Sequence, residues 1–194
     1  MKFTKILTIT ALSAVLLSGC FGGGEEDGST ISTSGNKGVY QADTFAVSYP
    51  LDWDVIEGSN FTSNIPLGTA VGFVNNVKSN RFTANANVHI TNFTEEIGPQ
   101  DFAISSMQQA RDMLTSMSEN EIQEISITVG DQAITGYLLG FSGKSNANAP
   151  TVVFKQIVTV HNQQGYTVTG AYLADEEESV VNKVDEMVNS FALR

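Results

Sequence analysis

The sequence predicts an α+β fold in which helices cover an antiparallel β-sheet. Short segments alternate apolar and polar residues, which is the period of a half-buried strand, and two longer segments carry apolar residues at helical spacing. Strands and helices do not alternate along the chain, so a parallel sheet is not expected. Charged residues make up only 16% of the chain and glycine is abundant, a composition typical of β-rich folds.

Four strands are predicted in the first half of the globular region, at residues 44–49, 53–56, 69–74 and 84–93. The fourth alternates most clearly, with the apolar set Ala84, Ala86, Val88 and Ile90 and the polar set Asn85, Asn87, His89 and Thr91. This alternation predicts one buried face and one solvent-exposed face, as antiparallel sheets often have.

A helix is predicted over residues 99–117. Pro99 suits the first helical position, where a backbone N–H would have no intrahelical partner. Apolar residues then recur at steps of four and three on one face, at Ala103, Met107, Ala110, Leu114 and Met117. We expect this face to pack against the sheet.

Two hairpins follow the helix, each made of two strands with a turn between them. The strands are predicted at residues 125–129, 134–141, 152–161 and 166–173. Gly130-Asp131 forms the first turn and residues 162–165 form the second. Residues 142–150 are predicted to be a loop that joins the hairpins.

A closing helix is predicted after the second hairpin. Asp175 is expected to cap its first turn, with Glu178 three residues later in the position of a capping box. A continuous apolar stripe follows, formed by Val180, Val181, Val184, Met187, Val188 and Phe191. We expect this stripe to pack on the sheet.

Residues 1–19 predict a signal peptide. Lys2 and Lys5 give it a basic start, and the apolar run at residues 6–17 is shorter than the roughly 20 residues that a membrane-spanning helix needs. The small residues Ser18 and Gly19 then lead to a cysteine. This order of segments is typical of an export signal that is removed from the mature protein.

The end of this segment resembles a processing motif. Leu17-Ser18-Gly19-Cys20 is similar to the lipobox of bacterial lipoproteins. The resemblance implies cleavage between Gly19 and Cys20 and attachment of a diacylglycerol to the Cys20 thiol. An ordinary signal peptide with an incidental cysteine is the alternative.

Lipid on Cys20 would decide where the mature protein resides. One acyl chain binds a membrane only marginally, whereas two or three hold a protein stably. We therefore expect a peripheral protein anchored through Cys20 on the non-cytoplasmic side of the cell envelope. Phe21 stands where an acidic residue would resemble an inner-membrane retention signal. This favours the outer membrane in a cell with two membranes, and otherwise the outer face of the cell membrane.

Residues 20–38 are predicted to be a flexible tether and residues 39–194 a single globular domain. The tether is rich in glycine and serine and lacks apolar periodicity. As a coil it would span roughly 20–25 Å. It contains three consecutive acids, Glu25, Glu26 and Asp27. Solvation explains these acids better than a cation site does.

The start of the domain resembles a known family. An aromatic strand runs into proline and tryptophan in the pattern Phe45-x-Val47-x-Tyr49-Pro50-x-x-Trp53. This pattern is similar to the start of PsbP-like domains, and the order of the later elements agrees with theirs. That family includes lipoproteins and an extrinsic subunit of the oxygen-evolving photosystem. The resemblance implies an α-β-α sandwich and a non-catalytic domain that docks onto membrane complexes.

No group of residues predicts catalysis, a metal site or a cofactor. His89 and His161 are the only histidines, and each falls on the polar face of a predicted strand. Their spacing suits neither a metal site nor a catalytic triad. We expect both histidines at the surface. Paired carboxylates of a glycosidase stay open, because their separation is set in space rather than in sequence.

Two glycine-containing motifs also fail as catalytic signals. Gly143-Lys144-Ser145 resembles the end of a phosphate-binding loop, but Leu138 stands where that loop needs a glycine, and no helix is predicted to follow. Ser142 lies beside a glycine at the wrong spacing for a nucleophile elbow. A turn serine is the better interpretation.

The acidic charge excludes two classes of ligand. Loss of Lys2 and Lys5 with the signal peptide changes the formal net charge from −11 to −13. Such a surface repels nucleic acid and anionic lipid headgroups. The sequence therefore favours a non-enzymatic, lipid-anchored envelope protein whose domain binds or assembles other envelope proteins. The alternative is a lipoprotein that binds a small ligand or ion in a cleft between sheet and helix. We expect Trp53, the sole tryptophan, to pack in the core, and a role in stacking on a ligand is the alternative for this residue.

Overall fold

The structure is a computed structural model that describes residues 30–61, 65–120 and 122–194. The predicted signal peptide, its cleavage site at Gly19 and Cys20, and the first part of the tether lie outside the described residues.

Twelve strands and two α-helices make up the described part of the chain. The strands are β1 (Thr30–Ser34), β2 (Lys37–Gln41), β3 (Phe45–Pro50), β4 (Trp53–Glu57), β5 (Thr69–Asn75), β6 (Asn85–Asn92), β7 (Thr115–Glu119), β8 (Gln123–Val129), β9 (Gln132–Lys144), β10 (Val152–His161), β11 (Gln164–Leu173) and β12 (Ala192–Leu193). The helices are α1 (Pro99–Met113) and α2 (Glu178–Asn189). Within the described ranges, neither helix combines the length and the hydropathy of a membrane span.

All twelve strands belong to one curled sheet. They lie in the order β1-β2-β3-β12-β8-β9-β10-β11-β6-β5-β4, and β7 pairs with the part of β9 that extends past β8. Neighbouring strands are antiparallel except β12 and β8, which run parallel and pair only at Leu193 and Val129. The sheet is therefore mixed. The expectation of a purely antiparallel sheet fails at this junction because β12 lies between β3 and β8 and is antiparallel only to β3.

The two helices pack on opposite faces of the sheet and create two apolar cores. From α2, Val184, Met187 and Val188 enter the core that covers β3, β10 and β11. From α1, Phe102 and Met107 enter the core over β9 and β10. This α-β-α arrangement agrees with the fold that the resemblance implies. The helices cover only part of the sheet, so the expectation of a helix-covered sheet holds in part.

Gly170 in β11 lies against α2. A Cβ atom at this position would overlap Val184 Cγ1 and come within 2.8 Å of Val188 Cγ2. The absence of a side chain therefore lets α2 approach the sheet closely, and the apolar stripe of the helix fills the space directly above the strand.

α1 ends one turn earlier than the sequence predicts. Leu114 has extended backbone angles and Ser116 has a positive φ of 51°, so Met117 lies in β7 rather than in the helix. The helix stops because β7 pairs with the end of β9. The same pairing explains why residues 142–144 belong to β9 instead of the predicted loop. Tertiary pairing overrides helical spacing at this point.

Asp175 does not cap α2. The helix begins at Glu178, with Glu177 at the N-cap and no side-chain capping bond. The Asp175 carboxylate instead accepts two hydrogen bonds from the Arg81 guanidinium, at 2.9 and 3.0 Å. A bidentate ion pair with a residue distant in sequence therefore replaces the predicted capping box.

The described part of the predicted tether is not a coil. Thr30–Ser34 forms β1 and β2 begins at Lys37, so residues 30–38 already form a paired hairpin of the sheet with its turn at residues 35–36. Gly35 adopts a φ of +64° in the turn between them, which a glycine allows without strain. The sheet therefore starts before residue 39. The β1 side chains are exposed throughout, which explains why this strand has no apolar alternation.

Candidate interaction surface

Pairing between strands defines two ends of the sheet. One end holds Thr30, the turns at residues 42–44, 130–131 and 162–163, and Arg194. We call it the tether end, because the chain that follows Cys20 enters the sheet there. The opposite, far end holds the turn at residues 35–36, Leu51 and residues 145–151.

A groove of about 690 Å³ lies at the far end, between β3 and the second half of α2. We call it the α2–β3 groove. Its floor contains the buried side chains of Tyr49, Pro50 and Met187, and Leu51 stands at its edge with 44% of its surface exposed. A concave apolar surface with polar groups around it is typical of a binding site.

Two ion pairs bridge the walls of the α2–β3 groove. Lys37 Nζ lies 2.9 Å from Glu186 Oε2, and Lys183 Nζ lies 2.6 Å from Asp52 Oδ2. All four side chains are more than a third exposed, so each pair contributes little to the stability of the fold. Each wall presents one cation and one anion to solvent. The rim can therefore orient a partner that carries charges of either sign.

A smaller cleft of about 340 Å³ lies between α2 and the β9–β10 pair. We call it the Lys155 cleft. Lys155 Nζ lies 3.3 Å from Asp185 Oδ1, and the lysine side chain is only 21% exposed. Burial, and then the charge of Asp185, raise the pKa of Tyr172 in the same cleft. Asn120 and Ser142 complete a polar lining. This set of groups could hold a small anion.

A layer of polar side chains is buried on the face of the sheet where α1 packs. His89 pairs with Thr167 across β6 and β11, and Thr169 pairs with Gln156 and Asn87 on its two neighbouring strands. Gln156 Nε2 donates to Thr169 Oγ1 at 3.0 Å. Within the described ranges, His89 Nδ1 and Thr167 Oγ1 make no hydrogen bond. Burial lowers the pKa of His89, so its imidazole is neutral at pH 7.

The polar face of β6 is therefore not solvent-exposed, and the surface position expected for His89 is wrong. His89 is only 3% exposed, and Asn85 and Asn87 are buried as well. The reason is that the segment before β5 lies against His89, since a Cβ atom on Gly68 would meet His89 Cε1 at 3.0 Å. His161, at the end of β10, is partly exposed. In the part of the chain that the structure describes, no three or more His, Cys, Asp or Glu side chains gather to hold a metal ion.

The other residues singled out from the sequence do not form a site. Trp53 is buried in the same apolar core as the α2 side chains, as expected from its position in the motif. Ser142 and Lys144 lie in β9, and a loop rather than a helix follows them, so the phosphate-binding interpretation has no support. The α2–β3 groove had no signal in the sequence, because its walls come from residues about 130 to 150 positions apart.

The PsbP family model matches residues 37–193. No curated protein sequence matches the chain significantly. Among solved structures, LpqN of Mycobacterium tuberculosis, which is involved in cell envelope biogenesis, is 16% identical over 77% of this chain and 82% of its own, with a TM-score of 0.55. Cyanobacterial PsbP (CyanoP) from Synechocystis is 14% identical over 91% of this chain and 99% of its own, with a TM-score of 0.52. At these identities, the two likenesses show a shared fold.

Proposed function

Because this chain belongs to the PsbP family, we propose that it is a non-catalytic, lipid-anchored protein of the cell envelope whose domain binds another envelope protein. The α2–β3 groove is the observation that carries the proposal. It is the largest of the clefts described above, and it combines an apolar floor with charged walls.

The groove resembles one half of a protein interface. Such interfaces have an apolar centre and a polar rim. Here Tyr49 and Met187 would form the centre, and Leu51 offers an exposed apolar side chain beside it. The ion pairs of Lys37 and Lys183 stand at the rim, where they cost little to rearrange. A partner would insert an apolar side chain into the centre and form ion pairs with the charged residues of the rim.

The membrane anchor rests on the lipobox-like sequence that ends at Cys20. The structural similarity to LpqN, a protein involved in cell envelope biogenesis, supports the same compartment. Intact-mass measurement of the mature protein tests the anchor. We expect a chain that begins at Cys20 and carries the mass of attached acyl groups. An unmodified thiol, or a different first residue, would refute it.

Site-specific photocrosslinking in intact cells tests the groove. A photoreactive residue in place of Leu51 should capture one discrete envelope protein. The same residue in place of Ile104, which is 51% exposed on α1 and outside the groove, is the matched control. We expect the Leu51 product to be lost when Lys183→Glu reverses a rim charge. Identical products from both positions would refute the assignment of the groove.

A second candidate function is the binding of a small anionic ligand in the Lys155 cleft. The low exposure of Lys155, beside Tyr172, favours it. A thermal-shift series with small carboxylates and phosphates tests this candidate, since a ligand that binds the folded state raises the unfolding midpoint. The shift should vanish in Lys155→Met and persist in Lys144→Met, because Lys144 does not line the cleft. The absence of any shift in the wild type would remove the candidate.

A further inference from the structure

The side chain of Leu67 is almost fully exposed to solvent. Its exposed fraction is 98%, the highest among the large apolar side chains of the described residues. It lies in the segment Ile65–Gly68, which leads into β5. The sequence contains no charged residue between Glu57 and Lys78. A single exposed apolar side chain is common on protein surfaces, so the position of Leu67 in the fold, and not its exposure alone, has to show what it contacts.

The backbone around this tip is fixed to the sheet. The N–H of Ile90 donates to the Gly68 carbonyl at 2.9 Å, and the N–H of Thr69 donates to the Pro66 carbonyl at 3.1 Å. Gly68 has a φ of +97°, and a Cβ atom there would meet the Ile90 carbonyl oxygen at 2.6 Å. Leu67 is therefore presented in a set direction by the end of β6.

Leu67 lies at the tether end of the sheet. β5 begins beside it, with Thr69 paired to His89 near the end of β6 that also holds the 162–163 turn. Thr30 enters the sheet at the same end. Cys20 is ten residues before Thr30, so even a fully extended chain separates them by at most about 36 Å. A lipid on Cys20 would thus keep Thr30, and the end of the sheet that holds it, within about 36 Å of the bilayer surface.

The charges of the described residues are distributed unevenly between the two ends. The six ion pairs all lie in the far half of the sheet or on the helices above it. The tether end carries acids that have no cation within 4 Å among the described residues, namely Asp43, Glu95, Glu96 and Asp131. Arg194 also lies at this end, where its guanidinium donates to the Ala42 carbonyl, so the acids outnumber it. Anionic headgroups would repel this end, whereas zwitterionic headgroups would not.

We infer that Leu67 inserts into the surface of a zwitterionic bilayer and fixes the orientation of the domain, with the tether end towards the membrane. This inference rests on the lipid anchor of the proposed function. It places the α2–β3 groove at the end that faces away from the bilayer, where a partner can reach it. The exposed Leu67 side chain would then enter the apolar part of the bilayer. One leucine is too small to bind a membrane by itself, so the lipid on Cys20 has to hold the domain close to the bilayer.

Lipid-quenching fluorescence of the full, lipidated protein tests the inference. Leu67→Cys receives a polarity-sensitive fluorophore, since lipid blocks the thiol of Cys20. Leu51→Cys, at the far end, is the matched control. Each protein is reconstituted into phosphatidylcholine vesicles that contain doxyl-labelled lipid. We expect quenching at position 67 that exceeds quenching at position 51 by roughly twofold or more.

The possible outcomes separate the orientation of the domain from the lipid anchor. Equal quenching at the two positions, or none at either, overturns the orientation while flotation of the protein with the vesicles still supports the anchor. Failure of both labelled proteins to float refutes the anchor, and the inference with it. Quenching at position 67 that increases when phosphatidylglycerol is added would also overturn the inference, because an acidic tether end should be repelled by that lipid.

Discussion

The backbone N–H of Ser48 donates a hydrogen bond of 2.9 Å to the hydroxyl oxygen of Ser190, across 142 positions of sequence. Ser190 is the C-cap residue of α2, and its hydroxyl donates to the Met187 carbonyl at 2.7 Å. One serine therefore closes the helix and binds the edge of β3. This contact lies in the wall of the α2–β3 groove.

Ser190→Ala should lower the free energy of unfolding by about 1–3 kcal/mol, because the Ser48 N–H loses its partner in a partly buried place. Urea unfolding at constant pH measures this change. Ser179→Ala, at an exposed position near the start of the same helix, is the matched control and should have little effect. Equal stabilities of the two variants would show that the hydrogen bond is not significant.

Gly170→Ala should destabilise the protein by about 1–3 kcal/mol, because the new methyl group overlaps Val184 and Val188 and pushes α2 from the sheet. Gly72→Ala is the control, since its Cβ would meet the Phe61 ring at 3.5 Å and the Ile56 carbonyl oxygen at 3.9 Å, which are ordinary van der Waals contacts. A double-mutant cycle with Val184→Ala provides the test, because the smaller side chain leaves room for the methyl group. The two costs should then be less than additive. Strict additivity would contradict the packing described here.

His89 should make the protein less stable as the pH falls below neutrality. Its pKa is lowered in the folded state, whereas an unfolded histidine titrates near about 6.5. The unfolded state therefore binds more protons below that pH, and this contribution to stability is lost as the pH falls towards the folded pKa. Unfolding at pH 7, 6 and 5 should show a smaller decline in His89→Gln than in the wild type. A decline in His89→Gln that equals or exceeds that of the wild type would contradict the assignment.

The bidentate contact from Arg81 should hold the pKa of Asp175 below its ordinary value, first through hydrogen bonding and then through charge. We expect Arg81→Gln to raise the pKa of Asp175, as measured by NMR titration of the carboxyl carbon. Lys78→Gln removes a comparable exposed cation that pairs with Asp54 instead, and it should leave Asp175 unchanged. A normal pKa of Asp175 in the wild type would show that the ion pair is absent.

The alternation of apolar and polar residues predicts the fold well where strands that are consecutive in sequence also pair in the sheet. The hairpin of β10 and β11 lies where the sequence places it, because alternating apolar residues and a short polar turn determine both strands and their register. The apolar stripe of α2 likewise packs on the sheet as expected. Each of these patterns lies within one short segment of sequence, so it can be recognised without knowing which distant residues the segment contacts.

Distant contacts decide the features that the sequence could not show. Met117 has helical spacing, yet β7 pairs with β9 and ends α1 early. Asp175 has a capping pattern, yet Arg81 binds it. His89 has the alternation of an exposed face, yet both faces of β6 are covered. The α2–β3 groove is not predictable in the same way, since no spacing rule connects Lys37 to Glu186 or Asp52 to Lys183.

The position of β12 has a consequence for how the molecule assembles. β1, β2 and β3 join the rest of the sheet through Ala192 and Leu193, which come after the other described elements along the chain. β1, β2 and β3 therefore cannot pair with the rest of the sheet until those two residues have been synthesised. Until then, β3 lacks its second neighbouring strand and β8 lacks its partner at Val129.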